Sequence, residues 1–420
     1  MTTAQNNGLR VQQIRYETII EFVMLMMLFL TSGFMITNDI VSSAMTIGLW
    51  IVLAVFVVLG LNTIDRNSLC GFVILIVVLS VSTIINDENL RTLMIKIFSF
   101  FVAFCIVNTY SIEQFKHGYI RCMTILAVIS LIGYTAYMSI PVLKTMCLVR
   151  NAAGNLYSNF IIYVQGVELG RNQGIFWEPG AFQTFLCLAI LLEVLSEHIN
   201  MKYVIILTIA VATTFSTTGY ITLIFIFLLS YIVKGATTET KKAFSLLIVL
   251  ALVCVFVFRD ELFDTTKNST FGKLIYYYNN QEASEEKSTS ASVRINAIIR
   301  PIYAFLTSPL FGVGYNGLND YTYEYTHNMN TCTFVNWFAV YGIGFGLVML
   351  NGFLRLARKL TTGRTQLATV ILILFLITAS ENFVNNPFFV MIALYGWMSY
   401  EREEEYASIG NQFLQLRQHG

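Results

Sequence analysis

Two stretches of this chain combine side chains whose types and spacing could do chemistry. Residues 171–180 read RNQGIFWEPG and place Arg171, Trp177, Glu178 and Pro179 within ten positions. Arginine presents a planar fork that grips a phosphate through two parallel hydrogen bonds. Proline is tolerated at the first helical position, so a helix is expected to start at Pro179 with Glu178 at its cap. Backbone N–H groups at such a start attract anions such as phosphate. Arg171 is then either a phosphate ligand or an interfacial arginine facing lipid headgroups, and Trp177 either a sugar-positioning aromatic or a belt residue. Glu178 is either a first-turn carboxylate complementing the helix dipole, worth about 0.3–1 kcal/mol, or a general base for an acceptor hydroxyl.

The second stretch, SASVRINAIIRPIYAFLTSPLFGVGYNGLNDYTYEYTHNMN, covers residues 290–330. Arg294 and Arg300 lie six apart in an expected amphipathic helix ended by Pro301, so they need not share a face. Gly312, Gly314 and Gly317 form a bend whose N–H groups could make an anion-binding concavity. No strand precedes GVGYNG and no nucleotide fingerprint follows, so a simple turn serves equally. His327 is one of four histidines, and its ordinary pKa of about 6.5 suits proton transfer near neutrality, although a hydrogen-bonded interfacial role also accounts for it. Tyr315 and Asn328 either position sugar hydroxyls or decorate turns. STTGY (216–220) reads as a helix-capping turn, and SENFVNNP (380–387) as another turn, carrying Glu381 and three asparagines.

The elements that hold these residues must lie in a bilayer. Of 420 residues, 56% are hydrophobic and only 12% charged, outside the range of soluble domains. A net charge of +1 leaves no basic patch for nucleic acid. Seven cysteines are scattered singly without metal-ligand spacing. At about 20 apolar residues per crossing, twelve spans are expected, near 18–37, 41–61, 70–85, 91–109, 119–140, 178–196, 201–216, 218–234, 243–258, 331–353, 366–380 and 386–400. The first follows a polar start without a cleavage site and is expected to be retained. With the N-terminus inside, short inner loops hold eleven basic residues from Arg66 to Arg364 and short outer loops only Arg91, as the positive-inside rule requires. Both termini then lie inside, and residues 141–177 and 259–330 form two long outer loops of a single membrane domain, 1–420. Lys96 and Glu193 lie near span ends, where they are expected to snorkel.

RNQGIFWEPGAF closing one outer loop, STTGY at a later turn, SVR before SPLFGVGYNG, and HN ahead of a span ending YGIGFG together resemble bacterial O-antigen polymerases (the Wzy family) and the related O-antigen ligases. The resemblance implies an all-α, GT-C-like polytopic protein of the bacterial inner membrane, with a periplasmic active site. It implies a metal-independent glycosyltransferase without cofactor. The donor would be an oligosaccharide on undecaprenyl pyrophosphate, the acceptor a second lipid-linked unit (polymerase) or lipid A core (ligase), and a chain-length regulator a possible partner. By motif, the family's arginines and histidine fall on Arg171, Arg294 and His327, with Glu178 at an acidic position and Arg300 also well placed. The absence of a DxD motif and of a nucleotide loop agrees with a lipid diphosphate donor. A transporter of lipid-linked sugars is the rival from another class, and it would need polar groups near the midplane.

Overall fold

The computed structural model describes residues 19–33, 43–61, 63–150, 155–160, 162–167, 170–233, 237–257, 290–326 and 330–399. Among them are fourteen α-helices. In chain order these are α1 (Ile19–Thr31), α2 (Ser43–Leu59), α3 (Arg66–Ile85), α4 (Leu90–Thr109), α5 (Ile112–Ser139), α6 (Pro179–Val194), α7 (Met201–Thr213), α8 (Thr217–Ser230), α9 (Thr238–Val257), α10 (Ser290–Thr307), α11 (Gly314–Thr326), α12 (Thr333–Lys359), α13 (Arg364–Ala379) and α14 (Pro387–Trp397). Every expected span falls on one of these helices. Four of them, α3, α4, α5 and α12, are both long and apolar enough to cross a membrane. Between α5 and α6 lies an antiparallel sheet of three short strands, β1 (Leu148–Arg150), β2 (Leu156–Asn159) and β3 (Val164–Gly166), in the order β1-β2-β3.

The polar residues between apolar runs stop and start the helices. Asp65 accepts from the Ser68 N–H, Ser111 and Gln114 form a capping box, and Asn200, Ser216 and Asn386 cap α7, α8 and α14. Connections gather at two opposite ends. At one, Arg171 reaches Thr214, Thr333 reaches Glu381, and the Asn386 side chain donates to the Thr31 carbonyl. At the other, the Asp65 N–H donates to Asn108 and the Lys359 ammonium to the carbonyls of Tyr395 and Met398. Phe185 sits at the hub of the core, with ring centroids of Phe176 at 4.6 Å, Phe388 at 5.0 Å and Phe383 and Phe389 at 5.8 Å. Where α12 crosses α14 no side chain separates them: a Cβ on Gly352 would lie 2.5 Å from the Ala393 carbonyl oxygen, and one on Gly396 would meet the Gly352 carbonyl.

α12 is broken at Gly342 (φ 81°, ψ −177°). Backbone groups stripped of helical partners are expensive in an apolar surround, and the segment between α10 and α11 replaces those partners. The Ile343 N–H donates to the Pro309 carbonyl at 2.8 Å, and the Val313 N–H to the Ala339 carbonyl at 2.8 Å. The Ser82 hydroxyl of α3 lies 2.6 Å from the Phe311 carbonyl and 3.3 Å from that of Val340. Gly312 (φ 69°) and Gly342 face each other's chain so closely that a Cβ on either would strike backbone carbonyl atoms. SPLFGVG and YGIGFG are thus two halves of one joint.

Pro301 does not end its helix, contrary to the expectation from sequence; α10 runs through it. Ala297, Pro301 and Ala304 are buried at helical spacing, and Phe305 packs edge-on against Phe338 of α12 at 5.8 Å. Packing on α12 offsets the cost of one lost ladder bond.

Gly342→Ala forces a side chain into the Leu310 carbonyl at a positive φ, a strain of about 1–3 kcal/mol before any clash. Loss of the monodisperse peak in size-exclusion chromatography of the detergent-solubilised protein is expected. Gly48→Ala, where a Cβ meets nothing within 4 Å, is expected to retain that peak.

Candidate active site

The loop carrying Arg171 is held on every side by buried amides. Asn172 and Gln173 are fully buried. The Asn172 backbone N–H donates to the Thr213 carbonyl, and its side-chain amide donates to the Thr213 hydroxyl at 2.9 Å and the Ser130 hydroxyl at 3.2 Å. Gln173 accepts from the Gly166 N–H of β3 at 3.0 Å and donates to the Phe176 carbonyl at 2.9 Å. Gln165 donates to the Arg171 carbonyl at 3.0 Å and accepts from the Tyr163 hydroxyl at 2.7 Å; burial pushes the Tyr163 phenol up, so it stays a donor. Arg171 itself donates from Nε to the Thr214 carbonyl at 2.8 Å. Thr214 stands in the turn before STTGY, so two separately noticed motifs meet here, and the guanidinium is aimed before any ligand arrives.

α6 begins at Pro179 with Glu178 at its cap, as expected, but the Glu178 carboxylate makes no capping bond and accepts from the Trp177 indole at 3.3 Å. Trp177 is half-buried against Gly33 and, edge-on at 5.6 Å, Phe383. Its ring packs on protein on these two sides. Gly180 faces Glu381, whose carboxyl carbon lies 3.1 Å from where a Cβ would stand. A buried carboxylate therefore sits where the helix start was expected to draw phosphate. Thr333 donates its hydroxyl to the Glu381 carbonyl at 2.5 Å and accepts from the Phe383 N–H at 2.8 Å, tying the 380–386 loop to the first turn of α12. The sequence places Glu381 in a turn without indicating that it reaches α6. The signal was indirect: an acidic residue is scarce in this chain, and the Pro-Gly at the start of α6 leaves room for one.

The glycine-rich bend is likewise already supplied with acceptors. The Gly312 N–H donates to Ser308, the Val313 N–H to Ala339, and the N–H groups of Tyr315 and Asn316 to the Glu88 carboxylate, the latter at 3.4 Å. No anion concavity is open there among the described residues, because Glu88 fills the start of α11. Tyr315 is half-buried; burial pushes its phenol up, a hydrogen bond with Asn319 opposes the rise, and the charge of Glu88 adds to it. Its hydroxyl is a donor at neutral pH.

Lys96 does not snorkel. It is buried, donating to the Tyr341 hydroxyl at 2.9 Å and standing 3.9 Å from Glu88. Glu193 is also buried and accepts from the Asn200 N–H at 2.5 Å. Both find partners in the protein, so neither extends toward the interface. Arg300 is half-buried on α10 beside the packed stripe. The side chain of Arg294, and all of His327 and Asn328, lie outside the described residues. The structure therefore brings together Arg171 with Thr214, and Trp177 with Glu178, beside Glu381. Among the described residues no cluster of three His, Cys, Asp or Glu side chains could hold a metal ion.

Residues 203–354 match the family model described as O-antigen ligase. Over that stretch the chain is similar to that family. No curated protein matches the chain. The matched stretch extends from α7 through most of α12 and contains the Thr214 turn, α10, α11 and the broken helix. The 171–180 loop precedes it and is joined to it by the bonds of Arg171 and Asn172 to Thr214 and Thr213. Apolar helices and this match together mark a membrane protein.

Gly180→Ala pushes a methyl group into the Glu381 carboxylate, and overpacking of this kind costs about 1–3 kcal/mol. A lowered melting temperature is expected, with part of the loss restored by adding Glu381→Ala. Strictly additive losses would remove the contact.

Proposed function

We propose that this protein is an O-antigen polymerase that joins undecaprenyl-pyrophosphate-linked oligosaccharide repeats at the periplasmic face of the bacterial inner membrane. One observation carries the reading. Arg171, pre-aimed by the Thr214 carbonyl, shares one loop with Trp177 and Glu178, which are hydrogen-bonded to each other. A phosphate-gripping fork in one loop with an aromatic and a carboxylate suits a transfer from a lipid diphosphate. We read the twelve apolar runs as crossings of a GT-C-like fold with both termini inside and this loop on the periplasmic side, in line with the inner bias of Lys and Arg.

In the reaction an acceptor hydroxyl attacks the anomeric carbon of the donor. The bond from that carbon to the diphosphate oxygen breaks, and undecaprenyl diphosphate departs with the electron pair. Arg171, with Arg294 or Arg300, neutralises the charge that develops on it, each charge-assisted hydrogen bond contributing about 1.5–3 kcal/mol. The hydroxyl proton passes to His327 or Glu178, a step in which a positioned base contributes about 10²- to 10⁴-fold. Tyr315, Asn328 and Trp177 orient the sugars.

The description of the matched family favours a second reading, an O-antigen ligase that passes finished polymer to lipid A core. Purified protein given only lipid-linked repeats separates the two: chain growth identifies a polymerase, and a strict need for lipid A core a ligase. Arg171→Lys keeps the charge but loses the fork and the Thr214 bond, and product is expected to fall by about tenfold or more on a polysaccharide gel at unchanged protein yield. Wild-type ladders from that variant would remove Arg171 from the mechanism. Normal product from both His327→Ala and Glu178→Ala would remove the proposed proton transfer.

A further inference from the structure

We propose that Glu88 and Lys96 form a buried charge couple that sets the position of α11, and that both are positioning residues for the transfer reaction. The inference rests on the glycosyl-transfer reading above. Their side chains are only 8% and 10% exposed, and the ammonium stands 3.9 Å from one carboxylate oxygen. The other carboxylate oxygen receives the N–H groups of Tyr315 and Asn316 in the first turn of α11. On its far side Lys96 donates to the Tyr341 hydroxyl, which in turn donates to the Asn385 side chain. One polar chain therefore runs from the loop before α14, through α12 one residue before its break, through α4, to the start of α11.

Stability alone does not explain such a couple, since a buried ion pair often does no better than apolar residues of the same volume. Position does. Gly312 just before α11 and Gly314 at its first position both have positive φ, which leaves its direction loosely specified by the backbone. At 1.5 Å per residue the helix is about 20 Å long, so a tilt of about 10° at its start moves its far end by about 3 Å. Residues 327 and 328 follow that far end directly, and a misplacement of about 1 Å at a reacting centre can cost about 10²-fold in rate.

The test compares wild type, Lys96→Met, Glu88→Gln and the double variant, each purified in nanodiscs and normalised to folded protein. Two quantities are read: hydrogen exchange of the amides of residues 314–318, and kcat and KM for a lipid-linked repeat. Each single variant is expected to raise exchange at the start of α11 and to lower kcat by about tenfold or more, with KM moving much less. The double variant leaves a neutral amide acceptor beside an apolar chain, and recovery of kcat to within about threefold of wild type is expected. A merely structural couple would change the amount of folded protein and leave kcat per folded molecule unaltered, which would overturn the proposal. So would unaltered exchange in both single variants, or a double variant showing the product of the single losses. Should wild type fail to extend lipid-linked repeats, the polymerase reading falls on that result, and the exchange data still decide whether Glu88 and Lys96 hold α11.

Discussion

Peptide groups that lose their helical partners inside an apolar bundle must find others, and the break of α12 at Gly342 imposes that demand on the segment between α10 and α11. The Ser308–Gly314 segment meets it by lending its carbonyls and N–H groups to the broken helix, with Ser82 of α3 closing the joint. The join is possible only because Gly312 and Gly342 have no side chains to keep the backbones apart. From it follow the lie of α10 against α12 and the placement of Arg300. The most conspicuous glycine motifs of the chain serve backbone satisfaction first. Whatever they do for a substrate, they do by fixing the helices around it.

A second regularity concerns where negative charge sits. The starts of α6 and α11 are both met by carboxylates of the protein itself, Glu381 and Glu88. A helix start already facing a carboxylate offers a poor welcome to a diphosphate. In the proposed reaction, recognition of an anionic lipid then falls to side-chain cations, among which Arg171 is braced by a backbone carbonyl and by a loop of buried amides. Its planar fork suits a diphosphate oxygen better than a lysine point charge would.

The helices were legible because bilayer crossings are written in runs of apolar residues, and the starts of α6 and α14 because a proline follows a cap residue in each. Arg171, Trp177 and Glu178 were legible as scarce polar types at a span end. The three strands were not, since elements of three or four residues show no usable alternation. Pro301 misled because a local rule for helix ends yields to tertiary packing. Lys96 and Glu193 misled for the opposite reason: a lone charge near a span end looks like a snorkelling residue until its partner, brought from elsewhere in the chain or from the next turn, is seen. Glu381 went unweighed because its significance lies in an approach to Gly180 across some two hundred positions of sequence.

The crossing of α12 over α14 has a mechanical meaning of its own. With main chain lying directly on main chain at Gly352, Ala393 and Gly396, there is no cushion of side chains to let one helix glide past the other. That seam behaves as a weld. Any opening needed to admit a bulky, tethered molecule has to come from parts of the shell remote from it, and a rocking motion of the kind carriers use would find no slip plane there.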